Sequence, residues 1–93
     1  MDENRESLIS KIKYVIDMFP SVTEAFIFGS YATGDYNDYS DIDVAIDCDI
    51  DDYLDIIDRL EDIDTIRRFD VHNIKLSNFA FDVRSIKDVI QLH

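Results

Sequence analysis

Three aspartates and a glycine–serine pair are the residues of this 93-residue chain whose types and spacing could do chemistry together. Phe28-Gly29-Ser30 is followed, after ten intervening residues, by Asp41-Ile42-Asp43. A glycine closing a run of β-formers lets the backbone turn sharply and leaves no side chain in a ligand's way. If a helical turn opens at Ser30, its free N–H groups and positive end suit phosphate oxygens. Asp41 and Asp43, spaced i, i+2 on a strand, send their carboxylates to the same side. Asp70 is the third acid. It stands between Phe69 and Val71 in an otherwise apolar run, where a carboxylate without a partner is costly. If the two strands are neighbours, Asp70 joins the other two. Two carboxylates about 5 Å apart repel by roughly 3 kcal/mol at an effective dielectric of about 20. A proton or a cation must relieve that repulsion. Oxygen-only ligands at an open site suit Mg2+ or Mn2+ holding substrate phosphates.

Such residues need elements to hold them. Residues 23–28 are rich in β-formers and stop at Gly29, which reads as a buried strand. Residues 29–40 contain both glycines and three tyrosines, Tyr31, Tyr36 and Tyr39; they read as a loop opening with one helical turn. Residues 41–48 alternate strictly, with Asp41, Asp43, Ala45 and Asp47 on one face and Ile42, Val44, Ile46 and Cys48 on the other. Residues 66–73 form a further strand around Asp70. A helix is expected over 4–18, where Leu8, Ile12, Val15 and Phe19 recur at helical spacing, Ile9 and Ile16 widen the stripe, and Pro20 ends it. A second is expected over 50–62, with Ile50, Tyr53, Leu54, Ile57 and Leu60 inward and Asp49, Asp51 and Asp52 at its positive end. Residues 77–87 read as a third through Phe79, Val83 and Ile86. Val89 to Leu92 is either a last short strand or a continuation of that helix. The order predicts an α/β (α+β) fold, a small mixed sheet with helices mainly on one face, as a single domain over residues 1–93.

The charge is lopsided. The chain carries a net charge of −12, from 17 Asp and 4 Glu against nine basic residues. Residues 35–64 alone hold 13 acids and one base, Arg59. Such a face repels a nucleic-acid backbone, so no direct nucleic-acid contact is expected. It attracts a cation, a metal–nucleotide complex or a basic protein. Cys48 is the one cysteine, which excludes an intrachain disulfide. No apolar run approaches the roughly 20 residues of a membrane span. The opening Met1-Asp2-Glu3-Asn4-Arg5-Glu6 is the wrong chemistry for a signal peptide. A cytoplasmic protein is expected. His72 and His93 lack Cys or His at ligand spacing and read as structural or surface residues. Cys48 reads as a small buried hydrophobe.

The stretch GSYATGDYNDYSDIDVAID resembles the signature of the minimal nucleotidyltransferases, within the DNA polymerase β-like superfamily. The likeness consists of Gly-Ser, about ten residues, Asp-x-Asp, and a further acid on a later strand. With the flanking strand and helix it extends over residues 23–73. It implies the nucleotidyltransferase fold and a metal-dependent transfer of a nucleotide. Gly29 and Ser30 would hold the β- and γ-phosphates of ATP. Asp41 and Asp43 would ligate two ions, Mg2+ or Mn2+. Asp70 would ligate the catalytic ion and help deprotonate the attacking hydroxyl. The reaction would be in-line attack on the α-phosphate, with pyrophosphate leaving. In the minimal family the resemblance also implies a HEPN-domain partner, often a ribonuclease toxin, with the nucleotidyltransferase as antitoxin placing AMP on a toxin tyrosine. Thr33 stands where many relatives carry Arg or Lys, and no Lys or Arg lies between residues 14 and 58. Triphosphate neutralisation would then fall on the metals, the backbone, Arg67, Arg68 or a partner. Nothing follows His93, so the acceptor pocket is expected from another chain or from a second copy.

Plainer readings stand beside these. Asp41 and Asp43 could be solvent-facing strand residues, and Asp70 could pair with Arg68 or Arg84. The tyrosines around the proposed phosphate loop could stack on a base, meet a partner or simply pack. Part of the apolar face of the first helix could serve a dimer or a partner. Three functional readings follow: an adenylyltransferase acting on a protein, an antitoxin that works by binding alone, and transfer to a small molecule, for which no acceptor domain is visible.

Overall fold

The computed structural model describes residues 5–34, 37, 40–74 and 88–93. Their elements in chain order are α1 (Arg5–Asp17), β1 (Glu24–Phe28), α2 (Ser30–Thr33), β2 (Ile42–Asp47), α3 (Ile50–Glu61), β3 (Phe69–Asn73) and β4 (Ile90–Gln91). The helix expected over 77–87 and the side chains of Tyr36 and Tyr39 lie outside the described residues.

The strands form one four-stranded sheet in the order β3-β2-β1-β4. β1 pairs antiparallel with β2 and with β4, and β2 pairs parallel with β3. The sheet is therefore mixed. A parallel pair needs a long crossover, and α3 supplies it between β2 and β3. The register sets the two faces. Ile42, Val44, Ile46 and Cys48 are buried on one side with Ala25 and Ile27 of β1, against Leu8, Ile12, Val15 and Ile16 of α1 and Ile56 and Leu60 of α3. All three described helices contribute to this face, as the alternation of β2 requires. The opposite face has a smaller apolar cluster of Phe26 and Ala45, packed by Phe28, Ile74 and Val89. The acidic side chains of β2 belong to that second face.

Short hydrogen bonds join the layers. The chain leaves α1 through a turn in which the Met18 N–H donates to Val15 O and the Phe19 N–H to Ile16 O, just before Pro20. Ser21 then bridges to the start of α3: its hydroxyl donates to Asp52 Oδ2 at 2.6 Å and accepts from the Asp49 N–H at 3.2 Å. The Tyr53 hydroxyl donates to Val71 O at 2.8 Å and ties α3 to β3. Its phenol is pushed up from its ordinary pKa by burial first, then by the Asp70 carboxylate and by Cys48.

Two expectations need correction, and one left open is decided. The buried stripe of α3 runs through Ile56 and Leu60, with Tyr53 and Ile57 half-buried. Ile50 and Leu54 instead point outward, 49% and 56% exposed. The Tyr53–Val71 bond fixes this rotation of the helix. β3 begins at Phe69 rather than 66, because Ile66 is 79% exposed and the first ladder contact is the Ile42 N–H to Arg68 O at 2.9 Å. The terminal segment resolves as a strand: the Leu92 N–H donates to Ala25 O at 2.8 Å and Leu92 is buried. Among the described residues no helix is long and apolar enough to cross a membrane.

Candidate active site

The site forms at the end of the sheet where β1 stops and β2 and β3 begin. Gly29 follows β1 directly, with φ 76° and ψ −158°, a region that only glycine occupies readily. The turn lets α2 start at Ser30. The Ala32 and Thr33 N–H groups close on Gly29 O, and the Gly34 N–H closes on Ser30 O. Gly34 ends the turn in the left-handed region at φ 91°. Tyr31 is buried in the main core, so it packs the loop rather than presenting a face to a base. The guanidinium groups of Arg5 and Arg67 lie over its ring, 5.6 Å and 5.1 Å from the centroid.

Register brings the acids together. Asp43 is paired with Phe28 of β1 on one side and with Asp70 of β3 on the other. Asp43 is half-buried and Asp70 exposed. Among the described residues, one group of metal-ligating side chains has donor atoms all within 4.8 Å of one another: Asp43, Asp70 and His72. Asp41, one residue before β2, is exposed and stands outside that group. Its charge still reaches Asp43. Burial pushes the Asp43 carboxyl above its ordinary value, Asp70 adds to the rise, His72 opposes it, and Asp41 contributes a further increase. Asp70 pairs with His72, Nε2 to Oδ2 at 3.4 Å, rather than with Arg68; Arg84 lies outside the described residues.

His72 is the residue that reasoning from sequence missed. Its neighbours along the chain offer no Cys or His at ligand spacing. Its partners instead lie on its own strand and across the ladder, where Asp70-Val71-His72 puts acid and imidazole on one face. That i, i+2 pattern was the available signal. Phe28 holds the His72 ring at 5.3 Å between centroids, and Ala45 is its partner across the ladder.

The donor set fits a divalent cation: two carboxylates and an imidazole, beside a main-chain surface that a Cβ would fill. An ideal Cβ on Gly29 would stand 2.5 Å from Asp43 Oδ2. Among the described residues, two cationic side chains near the turn, Arg5 and Arg67, are engaged on main-chain carbonyls. Arg5 Nη2 donates to Tyr31 O and Ala32 O, each at 3.2 Å. Arg67 Nη1 donates to Asn37 O at 2.7 Å and to Ser40 O at 3.1 Å, bracing the loop ahead of Asp41. Thr33 donates its hydroxyl to Ser30 O at 3.2 Å. A separate open groove of about 550 Å3 lies between α1 and the end of α3, lined by Lys11, Tyr14, Met18, Arg59 and Ile63 among others. It contains none of the site residues.

A family model described as polymerase beta, nucleotidyltransferase matches residues 10–92. The chain belongs to this nucleotidyltransferase family. Solved structures with TM-scores above 0.6 share the fold. A crystal structure of a toxin-antitoxin with AMP-PNP is 22% identical, with a TM-score of 0.66, over 95% of this chain and 72% of that one. A mutant of the toxin-antitoxin MntA-HpeT is 19% identical, with a TM-score of 0.61, over 98% of this chain and 73% of that one. A putative nucleotidyltransferase from Sulfolobus solfataricus is 25% identical, with a TM-score of 0.49, over 97% of this chain and 87% of that one. No curated protein matches the sequence.

Proposed function

We propose that this chain transfers the AMP moiety of ATP to a tyrosine of a HEPN-type toxin and so acts as that toxin's antitoxin. The observation that carries the reading is the register of β2 on β3, which sets Asp43 against Asp70 beside the Gly29 turn. The fold neighbour crystallised as a toxin-antitoxin with AMP-PNP supports an adenine nucleotide and a protein partner. The net charge of −12 supports a basic partner surface.

In this reading Gly29 and Ser30 hold the β- and γ-phosphates. Asp41, Asp43 and Asp70 would hold two divalent ions, Mg2+ or Mn2+, which would supply neutralisation of phosphate charge and polarisation of the bonds to phosphorus. Asp70, the more exposed of the paired acids, accepts the proton of the attacking hydroxyl. The phenolic oxygen forms a bond to the α-phosphorus. The bond from that phosphorus to the α–β bridging oxygen breaks, and pyrophosphate leaves. Phe26 and Ala45, buried with Phe28 packed against them, share the face of the sheet that carries Asp43.

A specific observation favours a second reading, an antitoxin acting by binding alone. Thr33 supplies no cation to the turn, and Arg5 and Arg67 are both engaged on carbonyls. One experiment separates the two. The chain is mixed with its HEPN partner, ATP and Mg2+, and the partner is weighed intact by mass spectrometry. The enzyme reading expects the partner to gain the mass of an AMP group, and expects the double variant Asp41→Asn, Asp43→Asn to abolish that gain while the complex persists. Full neutralisation of the toxin by the double variant would establish the binding module instead.

A further inference from the structure

We infer that His72 is a third donor to a divalent cation held by Asp43 and Asp70, and that its nitrogen tilts this site toward Mn2+ and away from Mg2+. The inference rests on the nucleotidyl-transfer reading of the site and names its metal.

The geometry comes first. Nε2 of His72 lies 3.4 Å from Asp70 Oδ2 and 3.8 Å from Asp43 Oδ1. Two donors each about 2.1 Å from one ion are about 3.0 Å apart at a right angle, about 3.4 Å at the tetrahedral angle and about 4.2 Å when opposed. Both observed separations fall inside that span. Nε2 is closed off from solvent, and the Phe28 ring limits how the imidazole can turn. The ring therefore meets the cluster already oriented, as a ligand must.

The chemistry follows from the donor types. Asp41, Asp43 and Asp70 alone would make an oxygen-only site, the kind Mg2+ accepts. In the structure the converging set is Asp43, Asp70 and His72, with Asp41 outside it. An imidazole adds little for Mg2+, a hard ion that prefers oxygen and keeps its waters. First-row transition ions gain from nitrogen, and Mn2+ also keeps the carboxylate and phosphate chemistry that nucleotide transfer needs. A histidine acting only as a counter-ion to the two acids would not discriminate between the metals.

The test uses the 93-residue chain at about pH 8, with Mn2+ alone or Mg2+ alone and no nucleotide. Calorimetry gives the two affinities. Pulsed electron paramagnetic resonance on the Mn2+ complex reports coupling to a ligand nitrogen. The wild type is expected to bind Mn2+ at least about tenfold more tightly than Mg2+ and to show that coupling. His72→Asn is expected to weaken Mn2+ binding by about 10–100-fold, to leave Mg2+ within about threefold, and to lose the coupling. His72→Gln, checked for folding by circular dichroism, repeats the measurement should the asparagine variant fold poorly. Absence of nitrogen coupling in the wild type, or an equal loss of both metals on replacing His72, overturns the inference. Loss of both metals in Asp43→Asn with none in His72→Asn overturns it while sparing the active-site reading. Retention of metal binding by Asp43→Asn overturns both.

Discussion

The main chain of Gly29 lies so close to Asp43 that a Cβ at residue 29 would stand 2.5 Å from the carboxylate oxygen Oδ2. The glycine thus serves two ends. It adopts a backbone angle, φ 76°, that other residues rarely reach, and it leaves room for the acid. Gly29→Ala is expected to destabilise the fold by about 1–3 kcal/mol through the backbone alone. It is also expected to swing Asp43 away from Asp70, so metal affinity should fall further than the stability loss explains. Calorimetric titration of Mn2+ into the folded variant checks this. Wild-type affinity in Gly29→Ala would show that the glycine matters only to the turn.

Asp43 makes the metal-free fold sensitive to pH. Its folded pKa lies above the ordinary carboxylate value because of burial and then the Asp70 charge. The folded state therefore holds this proton more tightly than the unfolded chain does. The resulting stability is fully present below the unfolded pKa and is lost as pH rises through the folded one. Once ionised, Asp43 opposes folding until a cation arrives. Asp43→Asn is expected to melt at a higher temperature than the wild type near pH 7 without divalent ions, and the gap is expected to narrow toward about pH 4. Adding Mn2+ should raise the wild-type melting temperature and leave the variant where it was. Thermal melts across that range, with and without the ion, give the answer.

Tyr53 holds the strand that carries Asp70. Its hydroxyl donates to Val71 O at 2.8 Å, one residue beyond the acid. Tyr53→Phe keeps the ring and removes the bond, at an expected loss of about 0.5–1.5 kcal/mol. Urea denaturation measures it. An unchanged midpoint would mean that solvent replaces the phenol at no penalty.

Arg67 braces the loop through two main-chain carbonyls, Asn37 O and Ser40 O, and lies over Tyr31. Both bonds leave one nitrogen, Nη1, while the guanidinium lies over the ring, a stacking that a lysine ammonium cannot repeat. Arg67→Lys keeps the charge and is nonetheless expected to lose about 1–2 kcal/mol. If Arg67→Lys denatures like the wild type, the guanidinium geometry is not what the loop requires.

Much of the site was legible because strands have a period of two. Gly29 follows from the end of a β-rich run, whereas the spacing that predicts one shared direction for Asp41 and Asp43 does not show that the donor group holds Asp43 without Asp41. What spacing along one strand cannot give is the neighbour across the ladder. The pairing of Asp43 with Asp70 depended on β2 and β3 lying side by side, which the apolar alternation only implied. For the same reason His72 passed as a structural residue, since its partner Asp43 is 29 positions away in the chain. The inner position of Asp43 relative to Asp41 follows from where β2 begins, a boundary that composition does not mark. The rotation of α3 was hidden by abundance. Ile50, Leu54, Ile56, Ile57 and Leu60 are all apolar, so two helical phases fit the same segment, and only packing on the sheet chooses between them.

That choice makes a prediction of its own. Ile56 is fully buried between α3 and the sheet, while Leu54 is 56% exposed. A pattern reading that turns Leu54 inward expects its truncation to be severe. The structure expects the reverse. Ile56→Ala removes packed atoms from the main cluster and leaves a cavity, at an expected loss of about 2–5 kcal/mol. Leu54→Ser removes a side chain that already meets water and is expected to stay within about 0.5 kcal/mol of the wild type. The two variants lie on one helix, and propensity favours Ile56→Ala while disfavouring Leu54→Ser by a few tenths of a kcal/mol, so a larger loss at Ile56 reports burial. Paired urea curves decide it, because a comparable loss in both would mean that Leu54 is packed inward and α3 is rotated from the position described.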